Sequence, residues 1–97
     1  MRRKFLVSVA LIVALAAELT PGPLMADPAD DQYGVAAGLY SREDWDLAAD
    51  EFKAFLRDYP QHPKRSAAVF YLAETLLQLE RFQQAAVQFR QYLADSP

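Results

Sequence analysis

The sequence predicts an all-α fold of two stacked helical hairpins, and three observations lead to it. β-branched residues are scarce after residue 31, whereas Ala, Leu, Glu, Gln and Arg, all good helix formers, dominate. Apolar residues recur at steps of three and four, which places them on one stripe of an α-helix. The second half of the chain also repeats the first at a constant offset of 37 residues.

The first 26 residues have the order of a secretory signal peptide. Residues 2–4 are basic, residues 5–17 are apolar apart from Ser8, and a Thr-Pro-Gly-Pro stretch follows. The apolar run is 13 residues long, shorter than the roughly 20 residues that span a bilayer. We therefore expect export to the periplasm, with cleavage after Ala26 or, as a rival site, after Ala16. An uncleaved leader would instead anchor the chain at the inner membrane.

Composition narrows the class of the remaining domain. The chain has no Cys, which excludes a lipid anchor on a cysteine after the apolar run and leaves packing alone to stabilise the fold. The leader carries three of the 10 basic and one of the 13 acidic residues, so the remainder has a net charge of −5. Such an acidic domain without a basic cluster is a poor binder of nucleic acid.

Four helices are predicted after a short acidic linker at residues 27–31, in which Asp30 or Asp31 would cap the first helix. Ser41 and Asp44 have the spacing of a capping box at the first turn. Two prolines, Pro60 and Pro63, separate the halves. The expected helices are residues 30–41, 44–59, 64–79 and 82–95.

The repeat extends over two helices and two turns. Small residues occupy the positions where antiparallel helices approach closely, an aromatic residue opens each second helix, and a proline ends each unit. The repeat-defining residues are Ala36, Trp45, Ala48, Phe52 and Pro60 in the first unit and Ala73, Phe82, Ala85, Phe89 and Pro97 in the second. Each hairpin alone cannot bury its apolar surface, so hairpins of this kind stack.

This pattern resembles the tetratricopeptide repeat (TPR) family over residues 30–97, with repeats at about 30–63 and 64–97. The period of 37 exceeds the usual period of about 34, and the extra residues fall in the connection at 61–66. The stretches FLRDYPQHPK and YLAE are similar to exported bacterial members, including Tol–Pal-associated periplasmic proteins and outer-membrane-assembly lipoproteins. The missing lipid-accepting cysteine argues against the lipoproteins.

The resemblance implies an α-solenoid whose first helices line a groove for a peptide segment of a partner protein. Carried over by position, the candidate groove residues are Tyr33, Ala37, Tyr40 and Ser41 in the first repeat and Phe70, Glu74, Leu77 and Gln78 in the second. This set lacks the basic clamp with which some members hold a terminal carboxylate. An extended or helical apolar segment is therefore expected, although Tyr33, Phe70 and Leu77 are also compatible with a purely structural role.

The second hairpin offers another candidate surface, because no capping helix follows it in this sequence. Some residues of its open side are expected to be partly exposed, which would favour a partner, self-association or further repeats. The candidates for this stacking surface are Val69, Leu72, Leu76, Phe89, Tyr92 and Leu93.

Catalytic and metal sites are not expected. The sequence has one histidine, His62, between two prolines, where a solvated side chain is expected, and it has no motif of a hydrolase, nucleotide-binding or zinc site. Asp44, Asp46, Asp50 and Glu51 lack the spacing of a calcium loop. No cofactor is implied. Two interpretations remain open: an envelope scaffold that binds another protein, and the N-terminal part of a longer exported repeat array.

Overall fold

The computed structural model describes residues 27–95. These residues form four helices of 14 residues each and no strand. The helices are α1 (Pro28–Ser41), α2 (Trp45–Asp58), α3 (Arg65–Gln78) and α4 (Phe82–Asp95). The predicted all-α class and the order of four helices are confirmed, whereas the leader at residues 1–26 and Pro97 lie outside the described residues. Within residues 27–95, every helix is too short or too polar to cross a membrane.

Helix α1 begins earlier than predicted. The Asp27 carboxylate accepts a hydrogen bond from the Ala29 N–H at 3.0 Å, and Pro28 occupies the first helical turn, where its missing N–H costs nothing. The linker predicted at 27–31 is therefore wrong for residues 28–31. Asp30 and Asp31 do not cap the helix but lie in its first turn, where their negative charges interact favourably with the positive end of the helix dipole. Ala29 is buried, so this extra turn packs on the core.

The turn between α1 and α2 is a Schellman motif, not the predicted capping box. The Glu43 N–H donates to the Tyr40 carbonyl at 3.0 Å, and the Asp44 N–H donates to the Leu39 carbonyl at 2.9 Å. The Ser41 hydroxyl instead donates back to the Ala37 carbonyl. The Asp44 side chain makes no capping bond to α2. Glu43 takes the left-handed conformation, with φ of 62°.

The turn between α3 and α4 has the same geometry 37 residues later. Glu80 has φ of 60°, and both bonds of the motif recur with the same lengths, from Glu80 to Leu77 and from Arg81 to Leu76. The sequence repeat is therefore also a repeat of backbone conformation, including a glutamate in a conformation that usually favours glycine.

Aromatic packing within the hairpins repeats as well. Tyr33 meets Phe52 with ring centroids 6.1 Å apart and an interplanar angle of 70°. Phe70 meets Phe89 at 6.1 Å and 75°. In each hairpin the first helix thus presents an aromatic ring edge-on to the middle of the second helix.

Successive helices pack against each other, and α1 also contacts α3. Small residues permit these approaches: Ala36, Ala48, Ala73 and Ala85 are all buried. The large buried side chains of the core are those of Phe52, Phe55, Val69, Leu72 and Leu76. Because α3 contacts both helices of the first hairpin, it forms the junction between the hairpins, and it places Tyr71 beside α1.

Candidate partner-binding groove

A pocket of about 180 Å³ lies between α1 and α3. Four of the residues that line it were predicted as groove residues of the first repeat: Tyr33, Ala37, Tyr40 and Ser41. They recur at positions i, i+4, i+7 and i+8 of α1 and therefore share one face of the helix. The fifth lining residue is Tyr71 of α3.

Tyr71 is the groove residue that sequence reasoning missed. Its ring centroid lies 5.0 Å from that of Tyr40, and the ring stacks on Phe52 at 5.9 Å with planes 15° apart. The positions carried over from the family pattern predict its neighbour Phe70 instead. No spacing in the sequence separates the two, because Phe70 and Tyr71 lie four and three residues before Glu74 and each shares a face of α3 with it.

The four groove residues predicted on α3 do not line this pocket. The ring of Phe70 turns toward α4, with centroids 6.1 Å from Phe89 and 5.4 Å from Tyr92. Leu77 and Gln78 are exposed, and Glu74 is half-buried. Only Glu74 is tied to the pocket, because its charge acts on the phenol of Tyr40.

The phenols of Tyr33 and Tyr40 are neutral at physiological pH. Burial, with Tyr71 as a smaller cause, raises the pKa of Tyr33. Burial, then Glu74 and then Tyr71, raises the pKa of Tyr40. Both hydroxyl groups therefore keep their protons and can donate hydrogen bonds to a ligand. The pocket combines aromatic surface with phenolic donors, which suits a peptide segment with a large side chain.

Trp45, the single tryptophan of the chain, lies at the end of the pocket. Its ring centroid is 5.3 Å from that of Tyr40, in an edge-on arrangement. The side chain is half-buried. Its fluorescence is therefore a local reporter for any ligand that displaces or contacts Tyr40.

His62 belongs to a separate polar cluster at the N-terminal end of α1. The prediction of a solvated His62 is wrong: its side chain is only 14% exposed and packs edge-on against Phe55 at 5.4 Å. Its Nε2 lies 3.4 Å from an Asp30 carboxylate oxygen and 3.9 Å from one of Asp27. These three side chains are the one group among residues 27–95 with ligand atoms close enough for a metal ion.

The hydrogen bonds of His62 oppose metal binding. Its Nδ1 accepts the Lys64 N–H at 3.0 Å. A neutral imidazole that accepts at Nδ1 carries its proton on Nε2, so the atom that faces the carboxylates is a donor and has no lone pair for a metal. Lys64 also places its ammonium 3.3 Å from Asp30. The cluster therefore ties the interhairpin connection to α1. The acidic residues of α2 remain apart from it, and Asp46 pairs with Arg81, the residue before α4.

A second cleft, of about 360 Å³, is lined by residues of α2, α3 and α4. Among the residues that line it are Lys53, Arg57 and Arg65, together with Val69, Leu72 and Val87. Arg57 bonds to its neighbour Asp58, and Arg65 bonds to Asp95. This cleft was not foreseen from the sequence, because its basic residues come from different helices.

The predicted open-end surface is only partly exposed. Val69, Leu72 and Leu76 are buried, so their assignment to that surface is wrong: α3, which carries them, packs between α2 and α4. Phe89 and Tyr92 are half-buried, and Leu93 is 69% exposed. The exposed part of α4 also includes Phe82, which is 60% exposed.

Comparison of equivalent positions explains this exposure. Ala49 and Phe52 of α2 are fully buried because α3 packs over them, whereas Ala86 and Phe89, 37 residues later on α4, are only half-buried. Among residues 27–95, nothing covers α4 as α3 covers α2.

No protein-family model, curated protein or solved structure matches this chain. The TPR resemblance is therefore carried by the residues and their repeat alone.

Proposed function

We propose that this chain is a protein-interaction module of the bacterial cell envelope, formed by two TPR-type hairpins, that binds a segment of a partner protein. The observation that carries the proposal is the pocket between α1 and α3, where Tyr33, Ala37, Tyr40 and Ser41 meet Tyr71. The pocket lies between the first helices of the two hairpins, which is where the resemblance places a peptide groove. Its aromatic lining favours an extended or helical segment with apolar side chains. The proposal includes no enzymatic activity and no cofactor.

The predicted signal peptide supports the envelope assignment, because the basic start and the short apolar run of residues 1–26 have the order of an export signal. Cell fractionation with mass spectrometry of the N-terminus tests this part. A protein that stays in the cytoplasm with an intact N-terminus would contradict it.

Peptide selection tests the groove. The full chain is immobilised and used to select binders from a random peptide display library, and the selected peptides are then measured against variants. Ala37→Gln fills the pocket from α1 without removing any ring, and glutamine is a good helix former. Ala94→Gln, at an exposed position of α4, is the matched control. We expect Ala37→Gln to weaken binding at least ten-fold, about 1.4 kcal/mol, and Ala94→Gln to leave it unchanged. Peptides that bind both variants equally would contradict a groove function.

A second candidate function rests on the outer face of α4. The exposure of Phe82 and Leu93, and the incomplete burial of Ala86 and Phe89, favour a further hairpin that covers this face as α3 covers α2. That hairpin would come from a second copy, from a partner, or from further repeats of a longer array. Sedimentation tests the case of a second copy. If the full chain self-associates through this face, the charge introduced by Leu93→Glu should make it sediment as a monomer. An open reading frame that continues beyond the codon for Pro97 with another hairpin pattern would support the array.

A further inference from the structure

Glu74, an acidic side chain next to the groove, has no cationic partner among residues 27–95. Glu74 lies one turn after Tyr71 on the same stripe of α3, and its charge acts on Tyr40. The side chain is half-buried. None of the ion pairs formed by residues 27–95 includes it. A carboxylate held beside aromatic rings, and partly shielded from water, attracts a cation more strongly than an exposed one does.

At the other end of the groove, a carboxylate and an aromatic ring already hold a cation, which is the arrangement that Glu74 lacks. The Lys64 ammonium lies 5.0 Å from the centroid of the Tyr33 ring and 3.3 Å from the Asp30 carboxylate. There, an aromatic ring and a carboxylate together hold a cation from the chain itself. Among residues 27–95, no ammonium or guanidinium lies over Tyr40 or Tyr71, although Glu74 follows Tyr71 one turn further along α3.

We propose that the Tyr40–Tyr71 end of the groove receives an arginine side chain of the partner segment, with Glu74 as its counter-ion. The proposal rests on the function proposed above and specifies the ligand of that site. A guanidinium group suits it better than an ammonium, because its plane stacks on an aromatic ring while its N–H groups bond to a carboxylate. The pocket of about 180 Å³ accepts one such side chain, and the net charge of −5 on residues 27–97 attracts a basic segment.

The proposal narrows the kind of partner segment. Apolar side chains would contact the remaining rings of the pocket, and one arginine would reach Glu74. Binding should weaken with added salt, because one of its contacts joins opposite charges at a partly exposed position.

Two small probes test the cation directly. N-acetyl-arginine amide and its neutral isostere N-acetyl-citrulline amide are titrated into the full chain, and binding is followed by Trp45 fluorescence and by the amide NMR resonances of residues 37–41. We expect the arginine probe to bind about five-fold more tightly than the citrulline probe, with the largest shift among those resonances at Tyr40. Equal binding of both probes, or no saturable response to the arginine probe, would overturn the proposal.

Two isosteric variants complete the test. Glu74→Gln should reduce the affinity ratio of the arginine probe to the citrulline probe to about one. The lost affinity is of the size expected for one partly exposed ion pair. Glu80→Gln removes a carboxylate from the exposed turn that follows and should leave the preference unchanged. Circular dichroism shows whether each variant keeps its helices. A preference that survives in Glu74→Gln would overturn the assignment of Glu74.

The outcomes for the groove and for the arginine are distinguishable. Selected peptides that are weakened by Ala37→Gln but contain no basic residue would leave the groove function standing and overturn this inference. An arginine preference that depends on Glu74, with no peptide sensitive to Ala37→Gln, would support the cation site and contradict a peptide groove.

Discussion

The ring of Phe52 stacks on the ring of Tyr71, with centroids 5.9 Å apart and planes 15° apart. The first ring comes from α2 and the second from α3, so this contact joins the two hairpins. Tyr71 also lines the groove. The side chain of Tyr71 therefore has two roles: it packs at the junction between the hairpins, and it lines the candidate site.

Phe52→Ala should destabilise the fold more than Phe89→Ala. Phe52 is fully buried, and removal of a buried phenylalanine side chain costs about 3–5 kcal/mol. Phe89 occupies the equivalent position of α4 but is only half-buried, so its loss should cost less. Urea unfolding of the full chain, followed by circular dichroism, measures both free energies of unfolding. Equal losses would mean that α3 does not protect α2 as described.

Glu43→Gly and Glu80→Gly should each stabilise the fold. Both glutamates have φ near 60°, a conformation that costs an L-residue about 1–2 kcal/mol and costs glycine little. Part of that gain is lost because glycine gives the unfolded chain more freedom, so we expect about 0.5–1 kcal/mol for each change. The matched control is Glu43→Ala, which keeps the strain and should show no gain. A loss of stability in both glycine variants would contradict the turn geometry.

The ion pair between Arg65 and Asp95 should make stability depend on pH at the acidic end. Hydrogen bonds from Arg65 and then Gln91 hold the pKa of Asp95 below its ordinary value. A carboxyl whose pKa is lower in the folded state contributes its stability above the unfolded-state pKa, about 3.9 for aspartate, and loses it as the pH falls through the folded-state pKa. Asp95→Asn should therefore lower the free energy of unfolding at pH 7 and have little effect once the carboxyl is protonated.

A double-mutant cycle assigns that effect to the pair. Asp95→Asn should cost less in an Arg65→Gln background than in the wild type, because the partner is already absent. The same cost in both backgrounds would mean that Asp95 acts through Gln91 alone, whose amide also donates to it at 3.0 Å.

Zinc should not stabilise the cluster of His62, Asp27 and Asp30. The proton on Nε2 of His62 points toward the carboxylates, because Nδ1 accepts the Lys64 N–H. Added zinc chloride should therefore leave Tm unchanged at neutral pH, whereas a specific metal ligand raises it with concentration. A rise in Tm that disappears in His62→Ala would show that the imidazole changes tautomer and binds the ion.

The helices and their order could be predicted because periodicity and composition act locally. The offset of 37 residues predicted even the equivalence of the two turns, since Glu43 aligns with Glu80. The start of α1 could not be placed in the same way. Asp27 and Asp30 are equally good capping residues in the sequence, and only the burial of Ala29 shows which turn packs on the core.

The candidate site was predicted on α1 but not on α3. Tyr33 and Tyr40 lie seven residues apart on one face of α1, so the pattern of that helix alone places them together. The choice between Phe70 and Tyr71 depends on how α3 is rotated between α1 and α4, which is set by contacts between distant parts of the chain. His62 was misjudged for a similar reason: two flanking prolines suggest a solvated loop, yet its ring packs against Phe55.

Because α2 is packed on two sides and α4 on one, local unfolding should differ between the helices. In stacked hairpins, each unit is stabilised chiefly by its neighbours, so a helix with one neighbour opens more readily than a helix with two. Amide hydrogens of α4 should therefore exchange with solvent sooner than those of α2 and α3, and a ligand on its outer face should slow that exchange first. The helix whose outer face we proposed as a site for a further hairpin is then also the helix that opens most readily.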